Sequence, residues 1–584
     1  MASFFFYSFL SPLAITFLIP GLLLTMLVMG KERKSLLSFL IEVACWGFVS
    51  QLIISFLVNL TVLSGLNSKI AIFIIVGTYL SGLLLMGWVI FKKEFFIRLR
   101  LIEFSVLELL TILLIVLVIF GFINQVYQKG YFNPATDQYF WQSFAEGFFS
   151  SNPVSNKTLL INLFDTRQFY KLSFAQIIAP YSVFYEKSVK NFQYFTVNWT
   201  IFCYLLLMMA MANLSREVLR GSVWFVLAPL VFLVFHWNNY YLISTGVVPQ
   251  NLGMFFFIVG LGFLSNKRPN WIIIGIFSVV FYLIHFASFL MFALVTSIFW
   301  VLKSLRPPFG LIMAIMLIIY ILIFGIDLWS ENYRNTLGYL VMTSALLGLL
   351  LLLFKKDFID QDSPFVNVLI AGFLVPSFFL SFSWIPHSVL PISWHVFRYL
   401  LFLYPIFVLT ALYLFVKIFV LLKTLNGKLF FKIEVFLVVF IAPFLIVEAR
   451  AQQQLVILDM IIGRDGGQAS NLKINIIQEL MVARNISKFD NTKIFYIAPG
   501  LDHPYPAWVF APNLVYNLSH CDFRCFTKLL GKDSLFYPSL VFLERNDELL
   551  RSKSEIIALL VENGFVKSSQ SSHFVFYKKK FLEN

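Results

Sequence analysis

The sequence predicts a polytopic α-helical membrane protein that carries a small C-terminal extracytoplasmic α/β domain. Three observations predict it. Of the 584 residues, 59% are hydrophobic and only 13% are charged, whereas a soluble domain carries about 25% charged residues. Apolar runs of roughly 16 to 25 residues recur from Phe4 to Val447, near the length that crosses a hydrocarbon core about 30 Å thick as a helix. From about Glu448 the composition changes to the balanced charge of a soluble domain. No regular 8 to 12 residue alternation is present, which argues against a transmembrane barrel.

The apolar runs predict about 14 spans, near 10–30, 36–61, 70–91, 105–123, 196–213, 223–237, 252–265, 271–285, 287–302, 309–327, 336–354, 365–385, 398–420 and 429–447. The N-terminal stretch lacks the basic region of a signal peptide and is read as the first span. The net charge of +14 does not form one tract, so it speaks for topology and against a nucleic-acid partner. Basic clusters fall in every second connection: "KERK" (Lys31 to Lys34), "KKEFFIRLR" (Lys92 to Arg100), "SREVLRGS" (Ser215 to Ser222), "NKRPN" (Asn266 to Asn270), "KSLRPP" (Lys303 to Pro308), "KKD" (Lys355 to Asp357) and "KTLNGK" (Lys423 to Lys428). The positive-inside rule makes these cytoplasmic and puts both chain ends outside. The step most exposed to error is the pair of short spans meeting at His285. If they form one long helix, the topology after it inverts.

Beyond Glu448, "NTKIFYIAPG" and "SLVFLERND" read as strands, "SKSEIIALLVENGF" as a helix stopped by Asn-Gly, and "HFVFYKKK" as a last strand. These predict an α/β domain of roughly 130 residues. The domain shows no phosphate loop, nucleophile elbow or zinc spacing, and "GRDGG" (Gly463 to Gly467) reads as a turn. Cys45 and Cys203 lie in spans and read as packing residues. Cys521 and Cys525 are positioned to pair if their region is extracellular.

One connection, 124–193, is too long to be a simple link and falls on the outer side. Within it, "DQYFWQSFAEGFF" places Phe140, Trp141, Phe144 and Phe148 at helical spacing, as in a helix lying in the membrane interface. Asp137 stands at its start. It reads either as a helix cap, with Thr136 as an alternative cap, or as a working carboxylate. The loop continues with Asp165 and Arg167. His236 and His285 fall at outer ends of spans, where an interfacial histidine satisfied by its neighbours is the ordinary reading. Arg398 begins an apolar run at the outer side, a placement that the positive-inside rule does not explain. It reads as a snorkelling side chain or as a bidentate clamp for a phosphate.

The acid beside an aromatic interfacial helix, the long loop after it, "GVVPQNLGMFFFIVGLGFL" (Gly246 to Leu264), the late "RYLLFLYPI" and the terminal α/β domain together resemble the GT-C superfamily of membrane glycosyltransferases. The likeness covers about residues 105–584. It divides the chain into N-terminal spans (1–104), a GT-C-like core (105–447) with the external loop 124–193, and the extracytoplasmic domain (448–584). The resemblance implies transfer of a hexosyl or pentosyl group, with inversion, from a polyprenyl-phosphate or polyprenyl-diphosphate donor to a glycan, lipid or protein acceptor on the outer face. It implies Asp137 as general base, Arg398 on the lipid phosphate, and His236, Tyr240, Tyr241, Gln250 and His285 lining the cavity, with Asp165 and Arg167 as further substrate contacts. The paired acids common in the family's first loop are missing here, since Glu146 is nine residues from Asp137. That departure favours an enzyme with no metal or other cofactor over a divalent-metal enzyme.

The rival readings are an O-antigen polymerase or ligase type of enzyme and a flippase or transporter for lipid-linked sugars. The first predicts its longest loop later in the chain. The second predicts two related halves and charged residues at mid-membrane, whereas Glu42, Glu108 and Glu434 lie near predicted span ends. Phe, Lys and Asn bias points to a bacterial inner membrane, with the C-terminal domain in the periplasm.

Overall fold

The computed structural model describes residues 11–29, 33–91, 98–129, 189–219, 222–237, 248–266, 270–304, 341, 343–349, 364–381, 396–424, 427–462, 475–476, 478–482, 493–497, 514–517, 527, 530, 540–545 and 553–580. They form a bundle of apolar helices and a small mixed sheet. In chain order the helices are α1 (Ile19–Val28, entered through a π-helical turn Ala14–Leu18), α2 (Leu36–Leu63), α3 (Ser68–Phe91), α4 (Val106–Lys129) and α5 (Val189–Leu219). Then come α6 (Ala228–Trp237, entered through a 3-10 turn Val223–Leu227), α7 (Val248–Ser265), α8 (Trp271–Ile284), α9 (Phe286–Ser304), α10 (Pro364–Ser381), α11 (Val396–Lys423) and α12 (Gly427–Ile462). Among the described residues, seven helices are long and apolar enough to cross a membrane, and five shorter apolar ones accompany them. The chain is therefore built as a multi-pass helical membrane protein. α3, α4 and α12 turn large apolar side chains outward, among them Trp88, Phe120, Phe436 and Val447. Water would not tolerate so much exposed apolar surface, but hydrocarbon does.

Twelve of the expected spans coincide with described helices or parts of them, that at 336–354 is described only over 341 and 343–349, and that at 309–327 lies outside the described residues. Several helices outrun their apolar cores. α4 continues to Lys129 and α5 starts at Val189, so the expected loop 124–193 is helical at both flanks. The compositional change at Glu448 falls inside α12, which runs to Ile462. Backbone hydrogen bonding continues through a helix after its side chains become polar, so hydropathy marks the membrane segment and not the helix end.

The basic turns with described residues gather at one end of the bundle, and that at Lys355–Asp357 lies outside the described residues. Lys34–Ser35 (β1) pairs in parallel with Ile102–Glu103 (β2), which joins the first two basic turns. Arg98 donates from its guanidinium to the carbonyls of Met26 (2.9 Å) and Met29, closing the C-terminus of α1. Arg216 pairs with Glu108, whose other carboxylate oxygen accepts from Leu36 N–H at the start of α2 (3.0 Å). Glu434 binds Lys423 Nζ (2.5 Å) and accepts from Ser222 Oγ (3.2 Å), so the third basic turn meets the last. Lys34 holds Glu42 (2.5 Å). These buried carboxylates are paired with the cations of the turns themselves, which is the condition under which a buried charge is tolerated.

The junction at His285 is a hairpin. Trp271 and Trp300 have ring centroids 5.3 Å apart, whereas 29 residues of continuous helix would separate them by about 44 Å. α8 and α9 are thus antiparallel, and Lys303 rests over the Trp300 ring at 5.3 Å, a cation on an aromatic face of the kind found at membrane interfaces. Gly262 of α7 lies against Leu214 and Asn213 of α5, which sets the 266–270 turn at the same end as Arg216.

The C-terminal sheet comprises β3 (Lys493–Ile497), β4 (Leu514–Asn517), β5 (Leu540–Glu544), β6 (Phe565–Gln570) and β7 (Phe574–Lys579), in the order β4-β3-β5-β7-β6. β4, β3 and β5 are parallel, and β7 runs antiparallel to both β5 and β6. Val541, Leu543, Val575 and Tyr577 pack with Ile556 and Leu560 of α13 (Lys553–Glu562). On alternate positions Phe542, Phe574 and Phe576 form an aromatic layer, with Phe542 and Phe576 centroids 5.0 Å apart, as the two-residue period of a strand requires. Gly564 stops α13 at φ 78°, a conformation that glycine adopts without a Cβ penalty. The expected strands in "KIFYI", "LVFLE" and "FVFYKK" are present. β4 and β6 were missed because both are edge strands, and β6 buries little beyond Phe565. Cys521, Cys525 and Gly463–Gly467 lie outside the described residues, while Cys45 and Cys203 are buried free thiols.

Candidate functional site at the end opposite the basic turns

α4 and α5 are antiparallel. Glu108 meets Arg216 at the basic end and Phe122 meets Tyr204 farther along, with centroids 6.5 Å apart. Their other ends, Lys129 and Val189, therefore both point to the opposite end of the bundle. The connection carrying Asp137, Asp165 and Arg167 is attached there. Those three residues, with Tyr240 and Tyr241, lie outside the described residues. α12 likewise starts at the basic end. At about 1.5 Å per residue, its 36 residues span roughly 54 Å, carrying the chain past the opposite end before the sheet begins.

α7 and α11 both run toward the basic end. Phe257 and Phe402 touch, with centroids 4.9 Å apart. One turn on, Leu261 and Ile406 both reach the position of Gly372 on α10. The two contacts share one register, so one turn in the other direction the backbone of Arg398 is level with Gly253. Gly253 in turn is pressed against α9. A Cβ there would lie 2.5 Å from Ser288 Oγ and 3.0 Å from His285 Cβ. Gln250 precedes Gly253 by one turn, about 4.5 Å along the axis. The structure thus brings Gln250, His285 and the Arg398 backbone to one end. α6 carries His236 toward that end as well, because Trp224 at its entry stacks on Phe415 near the basic end of α11.

His285 has a structural task of its own. It is the single extended residue (φ −151°, ψ 97°) between α8 and α9. Its Nδ1 accepts from Ser288 N–H (3.2 Å) and lies 2.6 Å from Ser288 Oγ. A backbone N–H only donates, so Nδ1 carries the lone pair and the neutral ring holds its proton on Nε2. His285 is therefore the N-cap of α9, which supports the ordinary reading of this histidine.

Gln250 is different. It is 1% exposed, and neither its amide oxygen nor its amide nitrogen has a hydrogen-bond partner. Among the described residues no other buried side chain leaves both polar atoms unsatisfied. Its neighbour Asn251, 2% exposed, leaves Oδ1 unsatisfied. A buried orphan amide costs about 1–3 kcal/mol, so the pair represents either strain or a place kept for a ligand. Asn251, Gly253 and Ser288 escaped the sequence reading. The one available signal was His-x-x-Ser at a helix break, which reads as a cap. Among the described residues no three His, Cys, Asp or Glu side chains group as metal ligands would. No protein-family model matches the chain, and no curated protein resembles it in sequence.

Proposed function

We propose that the chain is a membrane glycosyltransferase that moves a sugar, with inversion, from a polyprenyl-phosphate or polyprenyl-diphosphate donor to a hydroxyl-bearing acceptor on the outer face of a bacterial inner membrane. The observation that carries the reading is the unsatisfied buried amide of Gln250, with the unsatisfied Oδ1 of Asn251 beside it, level with the start of α11 and at the end where the Asp137 loop is attached. Carboxamides present a donor and an acceptor side by side, which suits sugar hydroxyls. On this reading Asp137 takes the proton of the acceptor hydroxyl as its oxygen attacks the anomeric carbon. The bond from that carbon to the donor phosphate breaks, and Arg398 stabilises the departing charge. The basic end faces the cytoplasm and the sheet domain faces the periplasm. Pairing of Glu42, Glu108 and Glu434 at the basic end, away from mid-membrane, supports an enzyme over a transport path. In purified protein reconstituted with radiolabelled polyprenyl-phosphate hexoses and pentoses plus glycan, lipid and peptide acceptors, wild type transfers label and Asp137→Asn does not. Equal transfer by both removes Asp137 as base, and no transfer by wild type from any donor removes the reading.

A further inference from the structure

The C-terminal domain holds a cleft of about 390 Å³ between the helical residues 475–476 and 478–482 and the β6–β7 turn. Its volume is in the range of small-molecule sites. At its centre Glu479 accepts from His573 backbone N–H (3.2 Å) and meets His573 Nδ1 at 2.8 Å. Burial pushes the Glu479 carboxyl up, but hydrogen bonds from Ser571 and from the side chain and backbone of His573 outweigh it and hold it below the usual carboxylate range. The ionised carboxylate only accepts, so Nδ1 carries a proton. With no proton on Nε2 the ring offers a lone pair there, on a side chain that is 25% exposed.

Around this pair the lining is uncharged and mixed: the amides Asn475, Gln478 and Gln570 and the hydroxyls of Ser569 and Ser572, together with the apolar Val482 and Phe576. Neither Lys nor Arg lines the cleft among the described residues, which disfavours a phosphate or another anion. Amides and hydroxyls that each donate and accept, set against one aromatic ring, match a ligand whose surface alternates hydroxyls with C–H patches. The described side-chain hydrogen bond of His573 runs to Glu479, its carbonyl accepts from Arg545 N–H (2.8 Å), and no serine Oγ bonds Nε2, so the arrangement is that of a binding cleft and not of an activated nucleophile.

We infer that this cleft binds a neutral saccharide, with His573 Nε2 accepting from a sugar hydroxyl and Asn475 and Gln478 bridging adjacent hydroxyls. The inference does not depend on the transferase reading, since binding here is measurable without turnover. The experiment is saturation-transfer NMR on the full chain in detergent, with maltotetraose, cellotetraose, N-acetylchitotetraose and mannotetraose as probes and inorganic phosphate as a further ligand. At least one tetrasaccharide is expected to receive saturation. Gln478→Ala with Ser572→Ala, which removes two lining groups without touching the Glu479–His573 pair, is expected to weaken that binding at least tenfold with an unchanged melting temperature. His573→Phe tests the acceptor directly and is expected to abolish the signal. Saturation of none of the four sugars overturns the inference. So does binding that survives both sets of substitutions, and so does displacement of the sugar by phosphate, which would make the cleft an anion site.

Discussion

The two ends of the helical bundle treat buried polarity in opposite ways. At the basic end Lys34–Glu42, Arg216–Glu108 and Lys423–Glu434 are paired, Ser222 adds a hydrogen bond, and Arg98 closes the last carbonyls of α1. Single unsatisfied atoms do occur toward that end, at Asn213 Oδ1 and Trp224 Nε1, but the charges there are matched. At the opposite end His285 is consumed in capping α9, while Gln250 is buried with nothing bound to either polar atom. One end is organised for folding and orientation. The other retains a cost that a bound partner for Gln250 would remove, which is where function is to be sought.

The largest effect expected is on turnover. Asp137→Asn should lower sugar transfer by at least about 100-fold with no change in melting temperature. A parallel loss of stability would make Asp137 a cap and deprive the opposite end of its proposed chemistry. Next in size, Arg216→Ala leaves Glu108, 1% exposed, as an unpaired buried charge, which costs about 3–5 kcal/mol. Thermal unfolding in detergent should show a large drop. A variant as stable as wild type would mean that the basic end is not held by its ion pairs.

Gly253→Ala places a methyl 2.5 Å from Ser288 Oγ and should cost about 1–3 kcal/mol through overpacking. Gly77→Ala, where the added carbon meets nothing within 4 Å, serves as the control and should be neutral or slightly stabilising because glycine is a poor helix former. Gln250→Met sharpens the comparison most. An orphan amide replaced by an apolar group of similar length should leave stability unchanged or raise it by up to about 1–3 kcal/mol, while transfer falls. A clearly lower melting temperature would show that Gln250 is satisfied in the folded protein and that the two ends do not differ.

The smallest effect concerns acid. Because the folded-state pKa of Glu479 is depressed, its contribution to stability is present above the ordinary glutamate value of about 4.3 and is lost as pH falls through the lower folded value. Wild type should lose melting temperature below about pH 4.3 more steeply than Glu479→Gln. Identical slopes would remove the Glu479–His573 bond from the cleft.

The spans, the clustering of basic turns in alternate connections and the nature of the tail were legible in the chain itself. Hydropathy over about 20 residues and the period of two in "FVFYKK" are local properties, set by the partition of side chains between water and an apolar phase. The break at His285 was legible as a junction, but only the contact of Trp271 with Trp300 made it a hairpin. Helix ends were not legible, because α12 is held by backbone hydrogen bonds past Glu448. Nor was the pairing of Glu108 with Arg216 across 108 positions of chain, or the unsatisfied state of Gln250. Both depend on which helices lie side by side, and packing is decided by shape across the whole bundle: Gly253 against Ser288, Phe257 against Phe402. Sequence determined which segments enter the membrane and which of their turns are basic. Tertiary structure alone decided which polar groups there found partners, because a hydrogen bond is a property of two groups and the chain lists them one at a time.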